Sequence, residues 1–328
     1  MKRFLLKITN FTIIGVAFLI ALHIFIDFIS DDICLNREIE IKISKLPIEE
    51  DKLNIIIAGD SRGERQIIPA IIDSVTGCNT INIAIPSGDL VTAFEAIKEH
   101  YLNQKILFVI SASSWQINDG AIDVGYLSPN CFQKASALEK VHLYRDNLQR
   151  LGNMYKELVL FSFAHYFPFV NLNSFYSEEI IRNKGFYGIS GKFKYVKNEN
   201  EISGFLHRHP WYKNLSNNGV RWRIFKEIVK KLNDTKLKTI LIQPPVSKYF
   251  KEITKNTFVE TAEKEYSNKL KILSNEYENI DVLDFYMNDI SELSDSLYYN
   301  FQHLNKNGAV LFSKKIAEIV AERIKILN

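Results

Sequence analysis

The stretch Leu53-Asn-Ile-Ile-Ile-Ala-Gly-Asp-Ser-Arg-Gly-Glu-Arg-Gln66 decides the fold. Within it an unbroken apolar run, Ile55 to Ala58, shows no alternation and stops abruptly at Gly59-Asp60-Ser61, followed by residues able to open a helix. That pattern predicts a parallel strand buried on both faces and feeding a tight turn. In an open α/β sheet the ligand crevice lies at the carboxyl ends of the strands. A hydroxyl directly after the first strand therefore stands where chemistry is built, and Ser61 is the first candidate nucleophile. Ser and Asp are also the usual helix caps, so Ser61 equally fits the role of a cap on the following helix, and the tripeptide alone does not decide.

Further along, the same grammar recurs. Gln66 to Thr76 reads as a helix stopped by Gly77, Thr80 to Ile85 as a second strand with Pro86-Ser-Gly-Asp89 as its exit loop, and Leu90 to Leu102 as an amphipathic helix. Ile106 to Ile110 is a third strand, leaving through Ser111-Ala-Ser-Ser-Trp115. The pattern breaks over about 120–221, which reads as a mainly helical or irregular cap insertion with a helix over Ala135 to Leu151 and an aromatic run from Phe161 to Phe169. It resumes with a helix around Arg223 to Leu232, strands at Thr239 to Gln243 and Ile280 to Phe285, and a helix between them over Thr257 to Glu276. A last helix carries Phe312, Ile316, Val320 and Ile324 on one face, capped by Asn305 or Asn307. Strands alternating with helices predict an α/β protein with a doubly wound parallel sheet of five strands.

The amino terminus carries Lys2, Arg3 and Lys7, and Phe11 to Ile29 is apolar except for Thr12, His23 and Asp27. A membrane-spanning helix needs about 20 such residues. Ser30-Asp-Asp-Ile-Cys34 offers no small-x-small cleavage site, so an uncleaved signal anchor over 1–30 is expected, with the basic end cytoplasmic and the rest outside. Residues 31–52 then form an extracytoplasmic linker in which Glu38 to Ser44, by its alternation, reads as a short strand, and 53–328 form the folded domain. The 328 residues carry 41 basic and 38 acidic side chains without a basic block, which argues against nucleic-acid binding. Cys34, Cys78 and Cys131 stand far apart, with no Cys-x-x-Cys pair for a metal or redox disulfide. His207-Arg-His209 lacks a completing Cys or carboxylate cluster and reads as surface or cap; no metal and no cofactor are expected.

The second chemical feature is Leu297-Tyr-Tyr-Asn-Phe-Gln-His-Leu-Asn-Lys-Asn-Gly-Ala309. It places His303 on the loop leaving the fifth strand, at the same sheet edge as Ser61, where an imidazole can take the proton of a serine hydroxyl. Arg62 and Arg65, early in the first helix, fit either an anionic substrate group or a structural salt link. Trp115 and Trp222 read as core or cap packing, although Trp115 follows a strand exit and can line the site.

Gly59-Asp60-Ser61 after the first strand, a glycine-bearing loop after the second, and the late x-x-His-Leu-Asn-x-x-Gly loop together resemble the SGNH/GDSL hydrolase superfamily. With the anchor, the Gly-Asp-Ser-Arg variant resembles its membrane-anchored extracytoplasmic branch, which includes proteins of teichoic-acid D-alanylation and polysaccharide O-acetylation. The resemblance covers about 53–119 and 238–325. It implies an SGNH/flavodoxin-like sheet, Ser61 as nucleophile and His303 as general base. It also implies an oxyanion hole from the Ser61 N–H, the Gly88 N–H and the Asn118 side chain, with Ser113 or Ser114 at the nearer position for the last. The family's Asp-x-x-His has Asn300 at its first position here, leaving Asn300, Asp295 or Asp284 as the group that orients His303. Implied is an SGNH-type esterase or O-acyltransferase acting on a cell-envelope carbohydrate or related ester through an acyl-serine. The expected partners are an ester or acyl-donor substrate and a membrane acyltransferase. The rival expectation, favoured by Asn300, is an inactive binding or accessory protein of polysaccharide modification on the same fold.

Overall fold

The computed structural model of the chain describes residues 11, 37–86, 88, 90, 93–94, 101, 105–117, 178–191 and 219–327. In chain order the elements used below are α1 (Arg37–Lys45), β1 (Asn54–Gly59), α2 (Ser61–Gln66), α3 (Pro69–Thr76), β2 (Asn79–Asn82), β3 (Ile106–Ser111), α4 (Glu178–Arg182), α5 (Val220–Asp234), β4 (Thr239–Gln243), α6 (Lys248–Thr254), α7 (Phe258–Glu276), β5 (Ile280–Asp284) and α8 (Lys306–Leu327). Short 3-10 turns occupy Ser114–Ile117 and Asp295–Leu297. The expected anchor, the helices over 90–102 and 135–151 beyond the few residues named above, the aromatic run, His207 and His209 lie outside the described residues. Among the described residues no helix is long and apolar enough to cross a membrane.

The apolar runs became strands because both of their faces are covered. Ile56, Ala58, Phe108, Ile110 and Leu241 point to one side, against Ile228 and Val229 of α5 and Tyr266 and Leu270 of α7. Ile55, Ile57, Leu107, Val109, Ile240 and Ile242 point to the other, against Ile72 of α3 and Phe312, Ile316 and Val320 of α8. The five strands pair in parallel in the order β2-β1-β3-β4-β5. The chain leaves β1 for one neighbour, β2, and returns to pair β3 on the other side. That reversal opens a crevice outside the carboxyl ends of β1 and β3.

Three expectations are corrected. Glu38 to Ser44 lies in α1 rather than in a strand. Buried Ile39, Lys42 and Leu46 recur at helical spacing, and the alternation misled because the lysine at the interior position counted as polar. The helix expected to begin at Gln66 is two helices, α2 and α3, since Pro69 opens a new first turn and leaves Ile67 and Ile68 extended. The second strand closes at Asn82 rather than Ile85, although Ile83 N and Ile85 N still donate to Ile57 O and Gly59 O beyond its end, at 2.8 and 3.1 Å, and Asn82 N on the outer edge donates to Lys184 O at 2.9 Å.

Candidate active site

Gly59 ends β1 with φ of 109°, a conformation that favours glycine, and a Cβ there would collide with the Ser111 carbonyl on β3. The turn that follows is fixed by Asp60, which is 1% exposed. Its Oδ1 accepts from Arg62 N at 3.0 Å and Ser111 Oγ at 2.8 Å. Its Oδ2 accepts from Ser113 Oγ and from Trp115 Nε1, the latter at 3.0 Å. Arg62, also buried, donates from Nε to Ser113 Oγ at 3.0 Å and lies 3.8 Å from Asp60 Oδ2. Asp60 therefore caps α2 and clamps the ends of β1 and β3 together, which leaves Ser61 free to face the crevice as the first residue of the helix. Removing a buried partner strands the opposite charge, at a cost of about 3–5 kcal/mol. Asp60→Ala, which orphans Arg62, is expected to lose that much stability in urea unfolding; an unchanged midpoint would contradict the clamp.

The other half of the site is built by the loop between the turn at Asp295–Leu297 and α8. Tyr298 and Leu304 form an antiparallel bridge, and Tyr299 N donates to His303 O at 2.8 Å. Inside this small loop Asn300 Oδ1 accepts from Gln302 N at 3.0 Å and His303 N at 2.9 Å. Gln66 Nε2 of α2 donates to Gln302 O at 2.6 Å, fastening the loop to the serine-bearing helix. Asn305 caps α8 by accepting from Gly308 N at 3.1 Å.

The two halves meet with Ser61 Oγ 2.9 Å from His303 Nε2. On the far side of the ring, His303 Nδ1 lies 3.0 Å from Asn300 Oδ1. Two backbone N–H donors already point at that side-chain atom, so it is the amide oxygen and not the nitrogen, and Nδ1 must carry the proton that it donates. Nε2 is then the bare nitrogen, able to accept the Ser61 hydroxyl proton. Burial, followed by the charges of Arg62 and Arg65, lowers the His303 pKa from 6.5 to about 4, against a smaller upward pull from Asp60. The imidazole is neutral and available as a base at pH 7.

The remaining site expectations divide. Asp284 Oδ1 accepts from the backbone of Tyr286 and Met287, and Asp295 Oδ1 from Tyr249 N, so both are turned into backbone caps while Asn300 holds the ring. Gly88 N donates to Ile85 O at 3.0 Å, which engages in a turn the donor that the resemblance gives to the oxyanion hole. Asn118 lies outside the described residues. Ser113 is bound to Asp60 and Ser114 to Glu263, at 2.9 Å for the latter, as parts of the buried framework. Trp115 serves the Asp60 clamp, and Trp222 packs 5.8 Å from Phe225 in the core.

Sequence reasoning missed a further support beneath α2. Lys42 Nζ, fully buried, reaches Glu64 Oε1 at 3.0 Å, the Ala84 carbonyl, and Gly185 O at 3.3 Å. Nothing in the local pattern of α1 signals an interior ammonium. Its partner Glu64, three residues after Ser61, was visible only as one charge among several on a short helix.

No protein-family model matches the chain, and no curated protein matches it. Among solved structures it is similar to an acetyl xylan esterase, AlAXEase, at 13% identity over 81% of this chain and 99% of that one, with a TM-score of 0.39. It is also similar to a GDSL-like lipase from Bacteroides thetaiotaomicron, at 10% identity over 85% of this chain and 92% of that one, with a TM-score of 0.35. Likenesses at such scores carry no argument, and the sheet order and the geometry of Ser61 with His303 stand on this chain's own residues.

Proposed function

We propose that the protein is an SGNH-type serine esterase or O-acyltransferase whose acyl group passes through Ser61. The observation that carries this reading is the 2.9 Å contact between Ser61 Oγ and His303 Nε2, on an imidazole whose other nitrogen is held by Asn300. Ser61 Oγ attacks the acyl carbonyl as its proton passes to Nε2; the ester C–O bond then breaks and the leaving alcohol takes that proton. Water, or a sugar hydroxyl, next gives its proton to Nε2 and attacks the acyl-Ser61; the acyl C–Oγ bond breaks, Ser61 Oγ takes the proton back from Nε2, and an acid or a new ester is released.

The apolar segment from Phe11 to Ile29 supports a single-pass anchor with a cytoplasmic amino terminus and this domain outside. In that setting the substrate is an ester of a cell-envelope carbohydrate, and a membrane acyltransferase is the candidate partner that hands over or receives the acyl group. The neutral Asn300 and the occupied Gly88 N–H favour one rival, a domain that binds such a glycan without turning it over. A fluorophosphonate probe separates the two, because it bonds only to an activated serine. The enzyme reading expects a stoichiometric adduct on the Ser61 peptide; an unlabelled wild-type chain would leave the binding reading.

A further inference from the structure

The arginines of α2 have different fates. Arg62 is buried and committed to Asp60 and Ser113. Arg65 is not. It stands one helical turn after Ser61, so both project from the same face of α2. Its side chain is 26% exposed, its charged end lies 5.5 Å over the ring of Tyr187, and its Nε–H finds no acceptor among the described residues.

The local charge balance isolates it further. Asp60 is matched by Arg62 and Glu64 by Lys42, the latter pair at 3.0 Å and almost fully buried. Arg65 Nε lies 3.6 Å from Glu64 Oε2, an ion-pair approach outside hydrogen-bond reach that leaves both atoms without a hydrogen bond, on a carboxylate whose Oε1 Lys42 already holds. Among these five charged groups the positive charges outnumber the negative by one, and the partly exposed one is Arg65, one turn after Ser61. The same guanidinium is near enough to His303 for its charge to be felt by the imidazole.

The surroundings suit a ligand rather than bare solvent. Tyr187, 44% exposed, is pinned to α2 by its N–H on Glu64 O at 3.2 Å. After it the chain runs along the start of α8, where Lys306 N donates to Ile189 O at 2.9 Å and Lys306 Cε would lie 2.9 Å from a Cβ added at Gly188. Tyr299, 42% exposed and next to Asn300, borders Gly191 at the end of this segment. Arg65 is thus a partly exposed cation resting on an aromatic face, with a buried Nε–H that has no hydrogen-bond acceptor among the described residues. Such a group is suited to receiving a carboxylate or phosphate through paired charge-assisted hydrogen bonds.

We propose that Arg65, braced by Tyr187, is the specificity residue of this site and selects esters whose alcohol part carries an anionic group, a carboxylate or a phosphate. The alcohol part is the relevant one because His303 returns its proton to the leaving oxygen, so the leaving group lies on the His303 side of the scissile bond. The inference rests on the ester chemistry proposed above and deepens it. An acidic sugar and a phosphorylated polyol both satisfy this chemistry, and the probes below tell them apart.

The test uses the full-length chain and three acetyl esters of one shape: para-acetoxybenzoate, para-acetoxyphenyl phosphate and the neutral para-acetoxybenzamide. Wild type is expected to favour an anionic ester over the amide by about 10- to 100-fold in kcat/KM, mainly through KM, the size of one or two charge-assisted hydrogen bonds. Whichever anion is preferred names the source. Arg65→Gln should bring that ratio close to one, and Arg65→Lys, which keeps the charge and loses the fork, should retain part of it. Binding of the same esters to a Ser61→Ala chain, and to Ser61→Ala with Arg65→Gln, reads the preference without turnover. If wild type hydrolyses none of the three, the ester chemistry fails and the binding pair alone decides Arg65. An equal preference with and without Arg65, or no preference for an anion in wild type, overturns the inference.

Discussion

Asn300→Asp is expected to raise kcat about 10- to 100-fold with KM nearly constant, and to move the acid limb of the pH profile upward from its starting point near 4. A carboxylate in this position accepts from the same donors that now converge on the amide oxygen, namely the N–H groups of Gln302 and His303 and the ring Nδ1. The side chain is exposed, so its second oxygen is left to water. The added negative charge favours the imidazolium, which forms only on the way to the transition state. Each pKa unit gained by the imidazole corresponds to about 1.4 kcal/mol of that stabilisation. In a serine protease the reverse change costs about ten-thousandfold, largely because the wrong tautomer is imposed. Here the backbone of the loop already fixes the correct tautomer, so only the charge contribution remains to be gained. Asp284 and Asp295 are occupied as backbone caps and do not crowd the new carboxylate. A variant no faster than wild type, with an unmoved acid limb, would mean that Asn300 does not act on the ring.

Ser61→Ala and His303→Ala are each expected to remove nearly all turnover of a short-chain aryl ester, and the double variant to be no worse than either alone. The two groups form one device: without Nε2 the hydroxyl has no acceptor for its proton, and without the hydroxyl the base has nothing to activate. Losses of about a millionfold have been characteristic of such units in other serine hydrolases, with residual catalysis from binding alone. Both side chains are only partly buried, and neither carries the fold, so thermal midpoints should change little. Additive losses in the double variant would show that Ser61 and His303 act independently.

Much of this architecture was legible because it rests on short-range patterns. Ile55 to Ala58, Ile106 to Ile110 and Ile240 to Ile242 are continuous apolar runs that suit a sheet covered on both faces, and Gly59 marks the point where β1 passes too close to Ser111 for a side chain. Ser61 and His303 could be paired from sequence because parallel strands bring every exit loop to the same edge. What resisted reading was long-range and polar. Lys42 lies in an alternating segment that suggested a strand, and only tertiary contact with Glu64 and the Ala84 carbonyl explains a buried ammonium there. The separation of Arg62 from Arg65 depends on Ser113 and Tyr187, which come from distant parts of the chain. The capping role that the sequence offered to Ser61 falls to Asp60, and its grip on Ser111, Ser113 and Trp115 required the register of β1 against β3.

The central claim is that Ser61 is activated by a neutral His303, and the rate of fluorophosphonate labelling as a function of pH tests it most directly. The account predicts an adduct on Ser61 whose rate is level from about pH 8 down to about pH 5 and half-maximal near 4, where the imidazole takes up its proton. An absent adduct, or a rate at Ser61 that simply climbs with hydroxide and ignores His303→Ala, would contradict it.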